Sequence, residues 1–143
     1  MAVVQDPAGA VFAIWQAKAS IGARLVNEAG ALCLNQLNTS DPEAAQRFYG
    51  DLFGWTFEGV ESGGQAYWGI TNGGRLNGGM MKSEPPQWLA YFTSTDVDAS
   101  AAKVTELGGK VIVPPSPVPG GRISVAADPQ GAVFAFVEGR MDD

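Results

Sequence analysis

Histidine is absent from the 143-residue sequence. It is the commonest general base in enzymes and the commonest side-chain ligand of transition metals in proteins. Its absence excludes a Ser-His or Cys-His nucleophilic pair, and it excludes any zinc or iron site that uses an imidazole.

Cysteine and long apolar runs are scarce as well. Cys33 is the single cysteine, so no internal disulfide can form, which agrees with a reducing compartment. No apolar run approaches the roughly 20 residues of a membrane span. The first residues, MAVVQDPAG, have neither the basic nor the apolar region of a signal peptide. We therefore expect a cytoplasmic protein.

Positive charge is in the minority. The chain has 9 lysines and arginines against 15 acidic residues, a net charge of −6. Such a charge repels nucleic-acid phosphates and anionic lipid headgroups, so neither nucleic acid nor a membrane is an expected partner. A length of 143 residues with 45% hydrophobic content predicts one well-buried domain with an appendage.

Two distant stretches are nearly identical. DPAGAVFAI at residues 6–14 and DPQGAVFAF at residues 128–136 share seven of nine residues and start 128 − 6 = 122 positions apart. Both combine a turn with a strand-like run, which predicts two similar β-hairpins. Chance similarity of two turns is the alternative.

A weaker repeat indicates two copies of one structural unit. Asp41 and Asp96 are 96 − 41 = 55 residues apart, and each is followed by Leu after eleven residues and by Gly after thirteen. Each aspartate is a suitable helix N-cap, with Pro42 at the first helical position of the first copy. The predicted apolar helix faces are Ala44, Phe48 and Leu52, then Ala101, Val104 and Leu107.

Strand-like segments surround both predicted helices. One short apolar run precedes each cap, and three strand-like stretches follow each helix, so the predicted order is strand, helix, three strands, twice. Within the second copy, PPSPVPGG at residues 114–121 predicts a long ordered loop between two strands.

The combination of motifs resembles the vicinal oxygen chelate superfamily, which includes glyoxalase I, extradiol dioxygenases, fosfomycin-modifying enzymes and bleomycin-binding proteins. The resemblance rests on D-x-x-x-A-x-x-F-Y-x-x-x-F-G-W from Asp41, on GGMM at residues 78–81 and on DPQGAVFAF. It implies an α+β fold in which paired βαβββ units form a curled mixed sheet, a cup with the helices outside.

The resemblance also implies a domain organisation. Residues 27–140 form the domain, with units at about 30–82 and 87–138, and residues 1–26 form a hairpin and connector. That hairpin resembles the end of a preceding domain. It either marks a truncated derivative of a two-domain chain or lends its strands to a neighbouring edge. We expect a homodimer with strand exchange through this hairpin.

Enzymes of this superfamily hold a divalent metal at positions that correspond here to Leu34, a residue within Gly78–Met81, Leu89 and Ala135. Ala13 occupies the equivalent position in the N-terminal copy. None of these side chains can bind a metal as the enzymes do, so we expect no metal and no cofactor.

Alternation along the strands predicts which side chains line the cup. The expected wall is mainly apolar with scattered amides and hydroxyls, which suits an uncharged, flat or aromatic ligand. Arg122 could pair with a ligand carboxylate or phenolate, or form a surface salt bridge, and core packing is the alternative role for the tryptophans and the methionine. The predicted ligand-binding residues are Leu34, Gln36, Asn38, Trp68, Met80, Trp88, Leu89, Tyr91, Arg122 and Ala135.

The function favoured by these features is that of a metal-free protein that sequesters an apolar or aromatic small molecule. The alternatives are a metal-independent lyase, isomerase or cyclase that uses the same cup, a metal-dependent glyoxalase- or dioxygenase-like enzyme, and a purely structural domain. Without histidine, an enzyme would rely on groups such as Gln36, Tyr91, Arg122 or Glu138 for proton transfer.

Overall fold

A computed structural model of the chain describes residues 1–62 and 64–139. The described elements follow the predicted order, with one hairpin before the two βαβββ units. They are β1 (Ala2–Gln5), β2 (Val11–Ile14), β3 (Leu32–Thr39), α1 (Pro42–Phe53), β4 (Thr56–Ser62), β5 (Gln65–Asn72), β6 (Arg75–Lys82), β7 (Gln87–Thr93), α2 (Val97–Glu106), β8 (Lys110–Val118), β9 (Gly121–Ala127) and β10 (Val133–Gly139).

Two compact units make up the chain. The first comprises Met1–Arg24 and Asn35–Trp88, and the second comprises Leu25–Leu34 and the residues from Leu89 onward. The N-terminal hairpin therefore belongs to the first compact unit. The predicted domain boundary at residue 26 stays a prediction. Arg140, the predicted last residue of the domain, lies outside the described residues.

Mixed strand pairing characterises the first unit. Its strands run in the order β4-β5-β6-β3, with β3 parallel to β6 and the other two pairs antiparallel. Leu37 lies beside Met80, and Met80 beside Trp68, so these three side chains share one face of the sheet. Helix α1 covers that face through Ala45 and Tyr49.

Helix α1 begins and ends where the sequence predicts. The Asp41 carboxylate accepts a hydrogen bond from the Ala44 N–H at 3.0 Å, and Gly54 ends the helix with a φ of 71°. The predicted apolar face is wrong in part, because the buried residues are Ala45 and Tyr49, whereas Leu52 is 46% exposed. The packed face is thus shifted by one residue, which aligns the ring of Tyr49 with the sheet.

The second unit repeats the arrangement with strand order β7-β10-β9-β8. Strand β10 is parallel to β7 and antiparallel to β9. Helix α2, capped by Asp96, buries Val97 and Ala101 against Ala126 and Phe136. Leu107, predicted on the apolar face, is instead 66% exposed at the end of the helix. The predicted fold class, an α+β fold of paired βαβββ units with mixed sheets, is confirmed.

The two copies of the DPxGA sequence form the same turn. The N–H of Asp6 donates to the carbonyl of Ala10, and the N–H of Asp128 donates to that of Ala132, both at 2.9 Å. In each turn the aspartate Oδ1 also accepts from following backbone N–H groups. The glycine of each turn has a positive φ, 108° at Gly9 and 95° at Gly131.

The proline-rich stretch of the second unit is a strand and not the predicted loop. Strand β8 continues to Val118, and Ser116, Pro117 and Val118 pair with β9 through two register shifts. Strand β8 ends the strand order of its unit, so its prolines need not donate ladder hydrogen bonds on the outer side. Within the part of the chain that the structure describes, no helix is long and apolar enough to cross a membrane.

Candidate functional site

In the second unit, the positions that correspond to metal ligands lie in an apolar cluster. Leu89 and Ala135 are buried with Tyr91, and Leu34 packs against them. Ala135 pairs with Tyr91 on β7 and with Val125 on β9. Val133 and Val137 join the same cluster, as strand alternation predicts, while Phe134 and Phe136 pack toward α2.

These residues do not fit a side-chain metal centre. Leu34, Leu89 and Ala135 carry no oxygen, nitrogen or sulfur donor, and hard or borderline divalent cations bind carboxylates, imidazoles and thiolates. In the first unit, Gly78 and Gly79 have no side chain. Across residues 1–62 and 64–139, no three His, Cys, Asp or Glu side chains gather in a group that could hold a metal.

The corresponding face of the first unit is polar. Gln36 and Asn38 are both buried, and the Gln36 amide donates to the Asn38 Oδ1 at 2.9 Å. Gly79 lies directly opposite Gln36. The phenol of Tyr67 lies over Gly79 and occupies the space that a β-carbon at residue 79 would need.

Tyr67 lies on this candidate face, and the sequence reasoning missed it. Burial raises the pKa of its hydroxyl, so the group stays protonated and can donate a hydrogen bond. The available signal was the alternation of β5, which places Tyr67 on the face opposite to Trp68, together with Gly79 on β6, the diagonal neighbour of Tyr67, whose direct partner is Met81.

Three of the predicted ligand-binding residues lie on the helix-covered face of the first unit. Met80 is fully buried with Leu37 and Tyr49, and Trp68 and Trp88 pack against the same cluster. Their placement supports a packing role for Met80 and Trp68, whereas Trp88 also borders a cavity. The predicted cup-facing residues are therefore divided, with Gln36 and Asn38 in the first unit and Leu34, Leu89, Tyr91 and Ala135 in the second.

A buried hydrogen-bond chain joins the N-terminal hairpin to α1 and β7. The Tyr49 hydroxyl donates to the Asp6 carboxylate at 2.9 Å and accepts from the Trp88 indole N–H at 3.0 Å. Burial raises the pKa of the Tyr49 hydroxyl; the Trp88 bond opposes this rise, and Asp6 adds to it. The sequence contains no local signal for these two hydrogen bonds, because Tyr49 is 43 residues from Asp6 and 39 residues from Trp88.

Each unit also contains an open cavity. The first unit has one of about 330 Å³ between the hairpin and the sheet, lined by Phe12, Ala13, Asn35, Trp55, Ile70, Asn77 and Trp88. The second unit has one of about 570 Å³ beside α2, which includes Phe92, Thr93, Ser100 and Lys103. The buried Thr93 Oγ1 in that second cavity has no hydrogen-bond partner among the described residues.

Arg122 forms a surface salt bridge. Its guanidinium contacts both carboxylate oxygens of Asp98 in the first turn of α2, with Nη2 and Oδ1 3.0 Å apart. The hydrogen bond from Arg122 lowers the pKa of the Asp98 carboxyl. Of the two roles considered for Arg122, the structure contains the ion pair.

Comparisons with known proteins agree with the fold. The profile of the Glyoxalase/Bleomycin resistance protein/Dioxygenase superfamily matches residues 31–136. The Mycobacterium bovis protein named "Putative glyoxylase CFP32" is 42% identical over 96% of this chain and 55% of its own length. The anthracycline biosynthesis protein DnrV of Streptomyces peucetius is 34% identical over 96% of this chain and 52% of its own length.

Solved structures show the same fold at low sequence identity. Methylmalonyl-CoA epimerase from Mycobacterium tuberculosis aligns over 81% of this chain and 93% of its own, with a TM-score of 0.57 and 16% identity. The Mn(II)-bound glyoxalase from Novosphingobium aromaticivorans aligns over 78% of this chain and 41% of its own, with a TM-score of 0.54 and 20% identity.

The chain spans about half the length of the curated relatives it matches. The profile match covers well over half of the chain, and the relatives align across nearly all of it. The chain therefore belongs to the Glyoxalase/Bleomycin resistance protein/Dioxygenase superfamily.

Proposed function

We propose that the chain binds an apolar or aromatic small molecule on the sheet faces opposite its helices, without a metal held by side chains. The observation that carries this proposal is the apolar cluster of Leu34, Leu89 and Ala135 at the positions where enzymes of the superfamily hold a metal. A cytoplasmic location is part of the proposal and rests on the composition.

The character of the second unit supports an apolar ligand. Ile123, Val125, Val133 and Val137 are partly exposed around the buried Leu89 and Ala135. When a ligand covers such a surface and removes it from water, binding is stabilised by about 25 cal/mol per Å² of apolar area buried. Its affinity would come from packing, because the cluster offers no charge for a ligand to pair with.

The polar face of the first unit would, by itself, bind oxygen atoms of a ligand. Tyr67 supplies a protonated hydroxyl, and Gln36 and Asn38 supply amide groups held in place by their mutual hydrogen bond. Neutral donors of this kind bind carbonyl or hydroxyl groups of a ligand.

The names of two relatives favour a polycyclic aromatic ligand. DnrV from Streptomyces peucetius and DauV from Streptomyces sp. strain C5 are both named anthracycline biosynthesis proteins, and each aligns with 96% of this chain. A hydroxylated anthraquinone is therefore the first ligand to test.

Native mass spectrometry of the purified protein, compared with its denatured mass, tests the metal-free part of the proposal. We expect an organic adduct, or none, and no stoichiometric metal in the native species. A stoichiometric divalent metal retained in the native state would contradict the proposal.

Titration with 1,4-dihydroxyanthraquinone, followed by the visible spectrum of the dye, tests the ligand class. We expect saturable binding that Tyr67→Phe weakens by roughly 3- to 10-fold, because one hydrogen bond to the ligand is lost. Phe57→Tyr serves as a control for an aromatic change of similar size on β4, next to β5. Equal binding by the native protein and Tyr67→Phe would remove Tyr67 from the site.

A metal-independent enzyme is the second candidate, and Tyr67 is the observation that favours it. A neutral phenol whose pKa is raised by burial can donate a hydrogen bond to a ligand oxygen and stabilise negative charge that develops there. Formation of a product of changed mass or absorption from the bound ligand would favour the enzyme over the binding protein. Recovery of the unchanged ligand after denaturation would favour the binding protein.

A further inference from the structure

We propose that the cavity between the N-terminal hairpin and the sheet of the first unit is a second, separate site for a neutral planar aromatic molecule with an amide-like or carbonyl edge. We call it the hairpin pocket and define it by its lining residues, Phe12, Ala13, Asn35, Trp55, Ile70, Asn77 and Trp88. Its volume of about 330 Å³ lies within the range of small-molecule pockets.

The hairpin pocket lies on the opposite side of the sheet from the site under "Proposed function". Asn35 and Gln36 are neighbours on β3, so their side chains point to opposite faces. Ile70 belongs to the core that α1 and the hairpin cover. A ligand in the hairpin pocket would therefore not touch Gln36, Asn38 or Tyr67.

The rings of Phe12, Trp55 and Trp88 form the apolar part of the pocket. Contacts with neighbouring side chains restrain the two tryptophans. Trp55 and Trp88 meet edge to face, with ring centroids 6.2 Å apart and planes at 81°. Trp55 stacks on Tyr49 at 5.8 Å, and the Trp88 indole is fixed by its hydrogen bond to Tyr49. Side chains restrained by such contacts have less conformational freedom to lose when a ligand binds, which favours affinity.

Two amides provide the polar part of the pocket. Asn35 and Asn77 are exposed, and neither side chain makes a hydrogen bond within residues 1–62 and 64–139. A primary amide offers two donor hydrogens and one acceptor oxygen, which matches a ligand edge that carries N–H and C=O groups side by side.

Charge selects against ionic ligands. None of the seven lining residues is charged, and the net charge of −6 of the whole chain disfavours anions in addition. A cation or an anion would lose hydration in the pocket without gaining an ion pair, whereas a neutral heteroaromatic would keep its hydrogen bonds.

The probe for this site is 2-quinolinone, a flat neutral bicycle with adjacent N–H and C=O groups, added to ¹⁵N-labelled protein. We expect the indole N–H signals of Trp55 and Trp88 to shift in a saturable manner, and that of the exposed Trp15 to stay unchanged. The expected dissociation constant is on the order of 1 mM or below, typical of a ligand of this size. Trp→Phe variants assign the indole signals.

The variants that test the polar contacts are Asn35→Ala and Asn77→Ala, both at exposed positions where folding should persist. We expect each to weaken 2-quinolinone binding by roughly 2- to 10-fold through the loss of a hydrogen bond. Asn72→Ala, at the end of β5, is the matched control and should bind as the native protein does. Quinoline lacks the amide edge, so it should bind the native protein more weakly than 2-quinolinone does. Its affinity should be the same for the native protein and for both variants.

The outcomes separate the two proposed sites. Binding that survives Tyr67→Phe but weakens in Asn35→Ala and Asn77→Ala supports the hairpin pocket, whatever the fate of the anthraquinone experiment. Absence of saturable shifts at Trp55 and Trp88, or loss of binding in Tyr67→Phe alone, would overturn it.

Discussion

Tyr49 is the side chain on which the first unit depends most. Its hydroxyl joins Asp6 of the hairpin turn to Trp88 of β7, and its ring contacts Phe12, Phe48, Phe53, Trp55 and Trp88. Because the residue is almost fully buried, neither Asp6 nor Trp88 could replace the lost bond easily with water.

We predict that Tyr49→Phe lowers the free energy of unfolding by about 1–3 kcal/mol, because the variant leaves a buried carboxylate oxygen and an indole N–H without a partner. Urea unfolding followed by tryptophan fluorescence measures the change. Tyr67→Phe is the matched control and should cost less, since no hydrogen bond of the Tyr67 hydroxyl is seen in the described structure. Equal costs for the two variants would contradict this role of Tyr49.

Stability should also fall at alkaline pH because of Tyr49. Burial raises the pKa of its hydroxyl above the usual value of 10.0. The unfolded chain therefore releases this proton at a lower pH than the folded chain does, and the stabilisation is complete below pH 10.0 and is lost as the pH rises above it. We predict that the stability difference between native protein and Tyr49→Phe shrinks from neutral pH to about pH 11. A stability difference that stays the same between neutral pH and about pH 11 would contradict this role of the Tyr49 hydroxyl.

Gly79 is required by a neighbour on the adjacent strand, and not by its own backbone angles. A β-carbon at residue 79 would overlap the phenol of Tyr67, whereas one at Gly59 on β4 would meet nothing within 4 Å. We predict that Gly79→Ala costs about 1–3 kcal/mol of stability through overpacking. Gly59→Ala should stay within about 0.5 kcal/mol of the native protein in the same urea titration. A Gly79→Ala variant as stable as Gly59→Ala would show that Tyr67 moves away freely.

Helix α1 is an element whose beginning depends on one side chain. Asp41 satisfies the Ala44 N–H, one of the donors that the helix itself cannot pair. We predict that Asp41→Ala lowers stability by about 1 kcal/mol. Asp51→Ala, in the last turn of the same helix, also removes one negative charge. The helix dipole disfavours a negative charge at that end, so the stability of this variant should be unchanged or slightly higher. Thermal unfolding of both variants distinguishes loss of a cap from loss of charge.

The helix faces and strand β8 illustrate the limits of local pattern at the scale of elements. Ala44, Phe48 and Leu52 have helical spacing, yet so do Ala45, Tyr49 and Phe53, and only the position of the sheet selects between the two rows. In the same way, prolines at residues 114, 115 and 117 suggest a loop until the strand is known to end the strand order of its unit.

For the whole molecule, we propose a homodimer in which the N-terminal hairpin pairs with a second copy of the chain. Strands β1 and β2 form a sheet of their own, whereas the corresponding hairpin β9–β10 has β8 on one side and β7 on the other. Val3 and Val11, both more than half exposed, lie on the face of the hairpin opposite to Phe12. Strand edges and apolar faces left uncovered in this way favour pairing with another chain.

We predict a dimer by size-exclusion chromatography with light scattering at micromolar concentration. Val3→Lys should shift the population toward monomer, because it places a charge on the proposed interface. Ile21→Lys is the matched control, since Ile21 is equally exposed but lies outside the hairpin. A monomeric native protein, or equal effects of the two substitutions, would contradict the proposal.

Much of the fold was predictable from the sequence, because its signals are local. The two aspartate caps, the two DPxGA turns and the alternation of the strands each involve residues within a few positions of one another. Repetition of these signals, 55 and 122 residues apart, was sufficient to predict two equivalent units and a duplicated hairpin. The resemblance to the superfamily, and not a local pattern, implied that Leu34, Leu89 and Ala135 stand at metal-ligand positions, and the absence of a metal there stays a prediction.

The candidate sites could not be predicted in the same way. Tyr67 above Gly79, the chain from Asp6 through Tyr49 to Trp88, and the placement of Trp68 and Met80 beneath α1 all depend on strand register and on which helix face is buried. These are contacts between residues far apart in sequence, and no local spacing encodes them. Packing of the complete unit selects one register among several that the same pattern permits.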